Sequence, residues 1–500
     1  MPLLTAKSHI LADVKRIAAS RRSSFSNKAL QLVWLLWGMH PAEGTARTRV
    51  QRHREAQVAS PHPPRRGPTT VVTLLDQLPH FSQYDPGAEG EGSLDPLGLG
   101  SVAERIAHHL VPALRARMAQ PRFVTLAGVG AFACQQLVDV VSSDGKTRPD
   151  IAFEWILVEA LVRHADPDAI RGLPGIQKAR RAQRAKERLG PSTYLSGPRV
   201  FGFTGVYRPF SVASEVLTKE GLPSEAAYRL VRAWEIDHDV SGFIDGAYRS
   251  DGDKLRREIE REVQRALAAN HSVAPPTGWL MRRLAGILAP GGVRARERAE
   301  LRNLVTATGH PIHDELAALL RTDMPASDAP QQVVVENLLP RASAPTRVAL
   351  DAVIKFERCA TAIEYAYRRL LAYAASLGGA FSVEQGCETP LIADTAAQLE
   401  ELTARAIEAV AALDEQLASD VSQVLSRFDR KLTPSEFVTS LILRHQEVQD
   451  AKHKRMWLDH LNNRWVVRPP YRNQSLELDN AYWTHPMRVN TLATFVRETM

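Results

Sequence analysis

Basic and aromatic side chains crowd one stretch of the chain, positions 444 to 488. Arg444, His445, Lys452, His453, Lys454, Arg455, Trp457 and His460 lead into Arg464-Trp465-Val466-Val467-Arg468. Pro469-Pro470-Tyr471-Arg472 follows, and later His485-Pro486-Met487-Arg488. Arginine grips a phosphate through paired N–H bonds and stacks its flat guanidinium on a base, while Trp and Tyr offer stacking faces. Nucleic-acid contact is therefore expected of Lys454, Arg455, Arg468, Tyr471, Arg472 and Arg488, joined from upstream by Tyr207 and Arg208; DNA and RNA are not distinguished. The competing expectation is a small capping module. In it Trp457, Trp465 and Tyr471 form a core and the arginines pair with Asp459, Glu477 and Asp479. Eight Lys/Arg against five acids between 444 and 488 is a modest excess, so pattern rather than charge carries the case.

Other chemistry-bearing fragments are weaker. His445, His453 and His460 are spaced eight and seven residues apart, which does not stack two imidazoles within one helical turn, and neither they nor His485 belong to an HExxH-type set. No metal site and no cofactor are expected. Gly128-Val129-Gly130-Ala131-Phe132-Ala133 matches GxGxxA after an apolar run, but a dinucleotide fingerprint needs a strand before it and a second strand ending in an acid, so a buried helix is expected. Asp144-Gly145-Lys146 has the D-x-K spacing of a nuclease fragment, without a second acid on a sheet; a turn is expected. Asp237-His238-Asp239 reads as a helix terminus, because adjacent side chains on a helix point apart. Walker A, GxSxG and kinase motifs are absent from the sequence.

These residues must be positioned mainly by helices. Apolar spacing predicts helices over 101–119, 123–141 and 151–164, and a polar Lys/Arg-rich one over 177–189. Gly202, Gly205, Tyr207 and Arg208 precede a short helix at 211–218. A Glu220-Gly221 turn and a longer helix at 224–238 with Ser224 as N-cap complete a helix-turn-helix pattern, with room for a wing beyond. Three or four helices follow over 251–321. Long amphipathic helices are expected at 347–375, with Thr346 as N-cap, and at 389–428; together they suggest a bundle or antiparallel pair. Pro434 starts another helix, and Arg464 to Arg468 reads as a strand. The fold class is thus mainly α, multi-helix, with a helix-turn-helix region and a small mixed C-terminal segment. The expected organisation is a basic arm (1–68), an N-terminal helical domain (69–190), the helix-turn-helix-like region (191–250), a helical connector (251–330), the long-helix bundle (331–432) and the basic aromatic module (433–500).

Bulk properties narrow the class. The 500 residues are 44% hydrophobic and 24% charged, as in ordinary globular chains. Net charge is +7, but residues 1–68 alone hold twelve Lys/Arg against three acids, so the remaining 432 residues sum to −2. The global basicity is therefore no argument for nucleic acid, and local patches must carry it. Three widely spaced cysteines, Cys134, Cys359 and Cys387, suit a reducing compartment and give no CxxC pair. The apolar run at 29–39 is about half of the ~20 residues a membrane-crossing helix needs. The expected setting is cytoplasmic, without membrane association, and the first 68 residues read as a disordered arm.

Two groups of residues resemble a set of uncharacterised bacterial helical proteins of unknown function, some encoded near phage-defence or mobile-element genes. The first is Asp95-Pro96-Leu97-Gly98-Leu99-Gly100-Ser101-Val102 with Pro112, Pro121-Arg122-Phe123, Ser196-Gly197-Pro198 and Phe203-Thr204-Gly205-Val206-Tyr207-Arg208. The second runs from His445 to Arg472 and on to His485-Pro486 and Arg488. The resemblance implies a defence or mobile-element context and no catalytic residues. The function expected is a non-catalytic, nucleic-acid-associated component of such a system. A helical scaffold holding a partner protein, and a nuclease or nucleotide-dependent enzyme, are the alternatives.

Overall fold

In the computed structural model the chain divides into two units, Met1–Gln83 and Tyr84–Met500. The described residues are 95–195, 202–478 and 482–500, so the first unit, with the expected basic arm, lies outside them. Among the described residues there are seventeen α-helices and one three-stranded sheet. The mainly helical class read from the sequence is the observed one.

The first eight helices are α1 (Leu99–Leu110), α2 (Phe123–Cys134), α3 (Pro149–His164), α4 (Ile176–Arg184), α5 (Phe203–Ala213), α6 (Glu225–Asp237), α7 (Asp251–Ala269) and α8 (Trp279–Leu288). Helix α2 is their hub, packing on α3, α5, α6 and α7. It is apolar all round and buried almost throughout, as a helix enclosed by neighbours must be. Its GxGxxA glycines serve that packing. A Cβ on Gly130 would lie 2.6 Å from the Phe153 ring, and one on Gly128 would lie 3.1 Å from Val231. Helix, not strand, runs through Gly128, so the nucleotide-site geometry is not formed.

The chain continues through α9 (Ala295–Thr306), α10 (Pro311–Thr322), α11 (Gln331–Leu338) and α12 (Ala344–Ser376). Then come α13 (Val383–Cys387), α14 (Ile392–Leu413), α15 (Glu415–Leu425), α16 (Pro434–Ala451) and α17 (Val489–Thr499). The 33-residue α12 is the spine, lying along α14 and touching α1, α11 and α16. The expected 389–428 helix is broken at Asp414, whose extended backbone (φ −161°) ends α14 while its side chain accepts from Leu417 N–H and caps α15. Thr346 is not the N-cap of α12; Ser343 holds that position, and the buried Thr346 hydroxyl donates to Glu315 at 2.5 Å. Strands β1 (Ala380–Phe381), β2 (Leu458–Leu461) and β3 (Arg464–Val467) form an antiparallel sheet in the order β1-β3-β2. β2 and β3 meet in a two-residue turn, Asn462-Asn463, with both φ positive (49° and 61°), the turn whose twist suits a hairpin.

A buried ion pair pins together the start of α2, the end of α6 and α9. Arg122, fully buried at the start of α2, donates Nε to Glu297 Oε1 at 2.9 Å and Nη2 to Oε2 at 3.0 Å. Nη2 also lies 2.8 Å from His238 Nε2 and 2.9 Å from the Ile287 carbonyl. Asp237 accepts from the Glu297 N–H at 2.9 Å. The Asp237-His238-Asp239 run thus ends α6 as expected, and serves packing.

Candidate nucleic-acid interface

The structure gathers most of the predicted C-terminal residues, but as a fastened module. Tyr471 is buried and its ring stacks on Trp457, centroids 4.4 Å apart and nearly parallel. Arg468 reaches back to the Met456 carbonyl (3.1 Å), and Arg472 to the Val467 carbonyl (2.7 Å). Arg488 is 2% exposed; it donates to the carbonyls of Val111 and Glu104, both at 3.1 Å, and to the Glu104 carboxylate. Exposed Arg455 pairs with Asp459 at 3.0 Å, and Lys454 stays half-buried beside it. Stacking and guanidinium contacts are present, then, but the partners belong to this chain. The predicted Asp479 partner lies outside the described residues.

The region expected to be helix-turn-helix takes a similar form. α5 and α6 flank a turn closed by a Leu217–Pro223 bridge. Tyr207 is fully buried; its hydroxyl accepts from the N–H groups of Ala119 (2.8 Å) and Gln120 (3.0 Å), and its ring packs on Phe123. Burial leaves Tyr207 and Arg488 no face for a ligand, which corrects their expected role. Arg208 is turned onto the Lys219 carbonyl, with Asp150 at 4.0 Å. On the outer face of α6, Arg229 pairs with Glu225 and Arg232 with Asp245. Among the described residues no strand lies between α6 and α7, so the wing is not formed there. Ser224 precedes α6 without a side-chain cap bond. Asp144 is filled by its own turn, accepting from Ser142 Oγ (2.6 Å), Thr147 Oγ1 (2.8 Å) and the N–H groups of Lys146 and Thr147; these bonds hold its carboxyl well below the usual range. Lys146 contributes its backbone, not its ammonium, so this is a structural turn.

Helix α4 is built differently. Gly175, in the left-handed region (φ 78°), turns the chain into it, and Ala179 and Ala182 bury one face against α3. The nine residues Ile176-Gln177-Lys178-Ala179-Arg180-Arg181-Ala182-Gln183-Arg184 contain no acid. Lys178, Arg181 and Arg184 recur every three residues on the exposed side, with exposed Lys186 just beyond and half-buried Arg180 beside them. Among the described residues none of these five makes a side-chain hydrogen bond or ion pair. Glu159 of α3, which lines a groove with Ala179 and Gln183, is already bound by Arg163 (2.9 Å) and Arg188 (3.1 Å), and exposed Glu187 just beyond the helix bonds to none of the five. Contrast α7, a surface helix with five Lys/Arg and five acids. There Lys254, Arg257, Arg261 and Arg265 pair with Asp251, Asp253, Glu258 and Glu262, three or four residues earlier, at 2.5–3.1 Å. At 1.5 Å rise per residue Lys178 to Arg184 span about 9 Å, the axial reach of two or three phosphates of a nucleic-acid strand.

A cleft lined by Ala131, Cys134, Gln135, Val138, Arg148, Asp150 and Leu222 encloses about 100 Å³. Its thiol, Cys134, is pushed up by burial and does not present a thiolate nucleophile. Among the described residues no helix is long and apolar enough to cross a membrane. No protein-family model, no curated protein and no solved structure matches this chain.

Proposed function

We propose that this chain associates with nucleic acid through the cationic face of α4, binding the phosphate backbone without reading sequence. The observation that carries the proposal is the set Lys178, Arg180, Arg181, Arg184 and Lys186, left without acid partners, whereas four cations of α7 meet acids of their own helix. Phosphate contacts of this kind supply non-specific affinity and positioning, whereas base recognition needs side chains in a groove. The buried face of α4 is already packed on α3 and no large apolar side chain points outward, so the helix lacks the free hydrophobic face of a membrane-surface helix. DNA or RNA, in a defence or mobile-element setting, is the partner class this reading retains.

Fluorescence anisotropy with a labelled duplex and a labelled single strand tests it. The Lys178→Gln/Arg181→Gln/Arg184→Gln variant is expected to lose about tenfold or more in affinity at low salt. Lys254→Gln/Arg257→Gln/Arg261→Gln on α7, which removes the same charge, is expected to lose much less. Equal losses would show net charge alone at work, and binding only to anionic vesicles would replace nucleic acid with a lipid surface; either result overturns the proposal.

A further inference from the structure

Seven residues apart on α12, Glu357 and Glu364 fall on one face of the helix, and that face is buried. Burying two carboxylates on one element is costly unless each has a partner. Glu357 has one. Its Oε1 takes the Nδ1–H of His485 at 2.8 Å and its Oε2 the His485 backbone N–H at 3.1 Å. His485 is held further by Gln331, which donates to its carbonyl at 3.1 Å and accepts from the Met487 N–H at 2.7 Å. Thr361 and Thr484 meet at 3.1 Å alongside, so this length of chain is laid down on α12 in a fixed register.

Glu364 has no such partner. It is 1% exposed, and neither of its oxygens accepts a hydrogen bond; the Arg368 guanidinium stands off at 3.5 Å. Burial pushes its carboxyl up to about 7. Beside it is a second orphan, Asp95 Oδ1, at the start of the described unit, while Asp95 Oδ2 has Lys452 only at 3.7 Å. One ligand atom from each of Asp95, Glu364 and His485 lies within 4.8 Å of the other two. Orphaned buried acceptors converging with an imidazole whose other nitrogen is already tied to a carboxylate form the arrangement of a metal ligand set with its outer support.

We propose that Asp95, Glu364 and His485 bind a divalent first-row metal ion, with Glu357 as the positioning residue that fixes the His485 ring. Two carboxylates and one imidazole suit Zn²⁺ or Mn²⁺, hard enough for oxygen and soft enough for nitrogen. Tetrahedral ligands at about 2.1 Å from zinc stand about 3.4 Å from one another, so a spread of up to 4.8 Å closes on the ion by a small movement of the half-buried Asp95. Water completes the shell from the Asp95 side. With Nδ1–H given to Glu357, the lone pair of Nε2 is the one offered to the ion, and binding releases any proton it carries. The ion ties together chain segments 269 and 121 residues apart, the entry to α1, the middle of α12 and the lead into α17. This inference does not depend on the α4 surface.

The test uses the full chain, stripped with chelator and then titrated with Zn²⁺ and, separately, Mn²⁺, read by calorimetry and by thermal unfolding. One equivalent is expected to bind and to raise Tm. Glu364→Gln keeps shape while removing the orphaned charge, so its metal-free form is expected to be as stable as the parent or more so, yet to lose affinity about a hundredfold and no longer to gain Tm with metal. Glu357→Gln is expected to weaken binding about ten- to a hundredfold, as support residues of metal-bound histidines do. A parent chain that binds neither ion stoichiometrically overturns the proposal. So does undiminished binding in an Asp95→Asn/Glu364→Gln/His485→Gln chain, which would place the ion elsewhere.

Discussion

Arg122 is the residue whose loss should be felt most. Its guanidinium is fully buried and satisfied by Glu297, His238 and two carbonyls, so removing it strands a buried carboxylate. Arg122→Met is expected to cost about 3–5 kcal/mol, and Arg122→Met/Glu297→Leu appreciably less, because the double change removes the uncompensated charge as well. Urea unfolding of the two variants decides it; a double variant as damaged as the single would contradict the account. Glu154 makes a pH prediction. Burial pushes it up from 4.5 to about 7, against the opposing hydrogen bonds from Thr204, whose N–H lies at 2.8 Å, and from Tyr194, with Asp150 adding to the rise. A carboxyl raised in the folded state contributes stability that is complete below about 4.5 and lost as pH climbs through 7. Glu154→Gln should therefore raise Tm relative to the parent at pH 8 and bring no gain near pH 4.5. A constant difference across that range would contradict it.

At the scale of elements, the helices were readable because their apolar periods are long, and their ends were less so. The GxGxxA run of α2 illustrates a motif resolved by packing. Gly130→Ala should destabilise the N-terminal half by about 1–3 kcal/mol, since its Cβ would press within 2.6 Å of Phe153. Thermal unfolding would show this, and a neutral variant would mean that Phe153 can step aside. Two further elements explain what the sequence concealed. Trp457 and Tyr471 have the composition of a base-stacking platform, and no local pattern says that they stack on each other. The 177–189 helix was visible as polar and basic, but whether acids from other elements come to meet it is a tertiary fact. Asp95, Glu364 and His485 are scattered over nearly four hundred residues, so spacing could not unite them. The only local signal was a pair of glutamates seven apart on a buried face, among Ala360, Thr361 and Tyr367.

For the molecule as a whole, the proposed function rests on where the charge lies. Residues 69–500 sum to −2, and the described arginines are for the most part committed to carboxylates and carbonyls. On the proposed reading, residues 69–500, near-neutral as a whole, meet a polyanion through the cationic face of α4. The measurement that tests this most directly is the salt dependence of duplex binding, compared between the parent and the Lys178→Gln/Arg181→Gln/Arg184→Gln chain. Each phosphate neutralised contributes about −0.9 to the slope of log K against log salt. A parent slope of about −3 to −5, made shallower by about 3 in the variant, is the predicted result. A slope near zero in the parent, or the same slope in both chains, would contradict it.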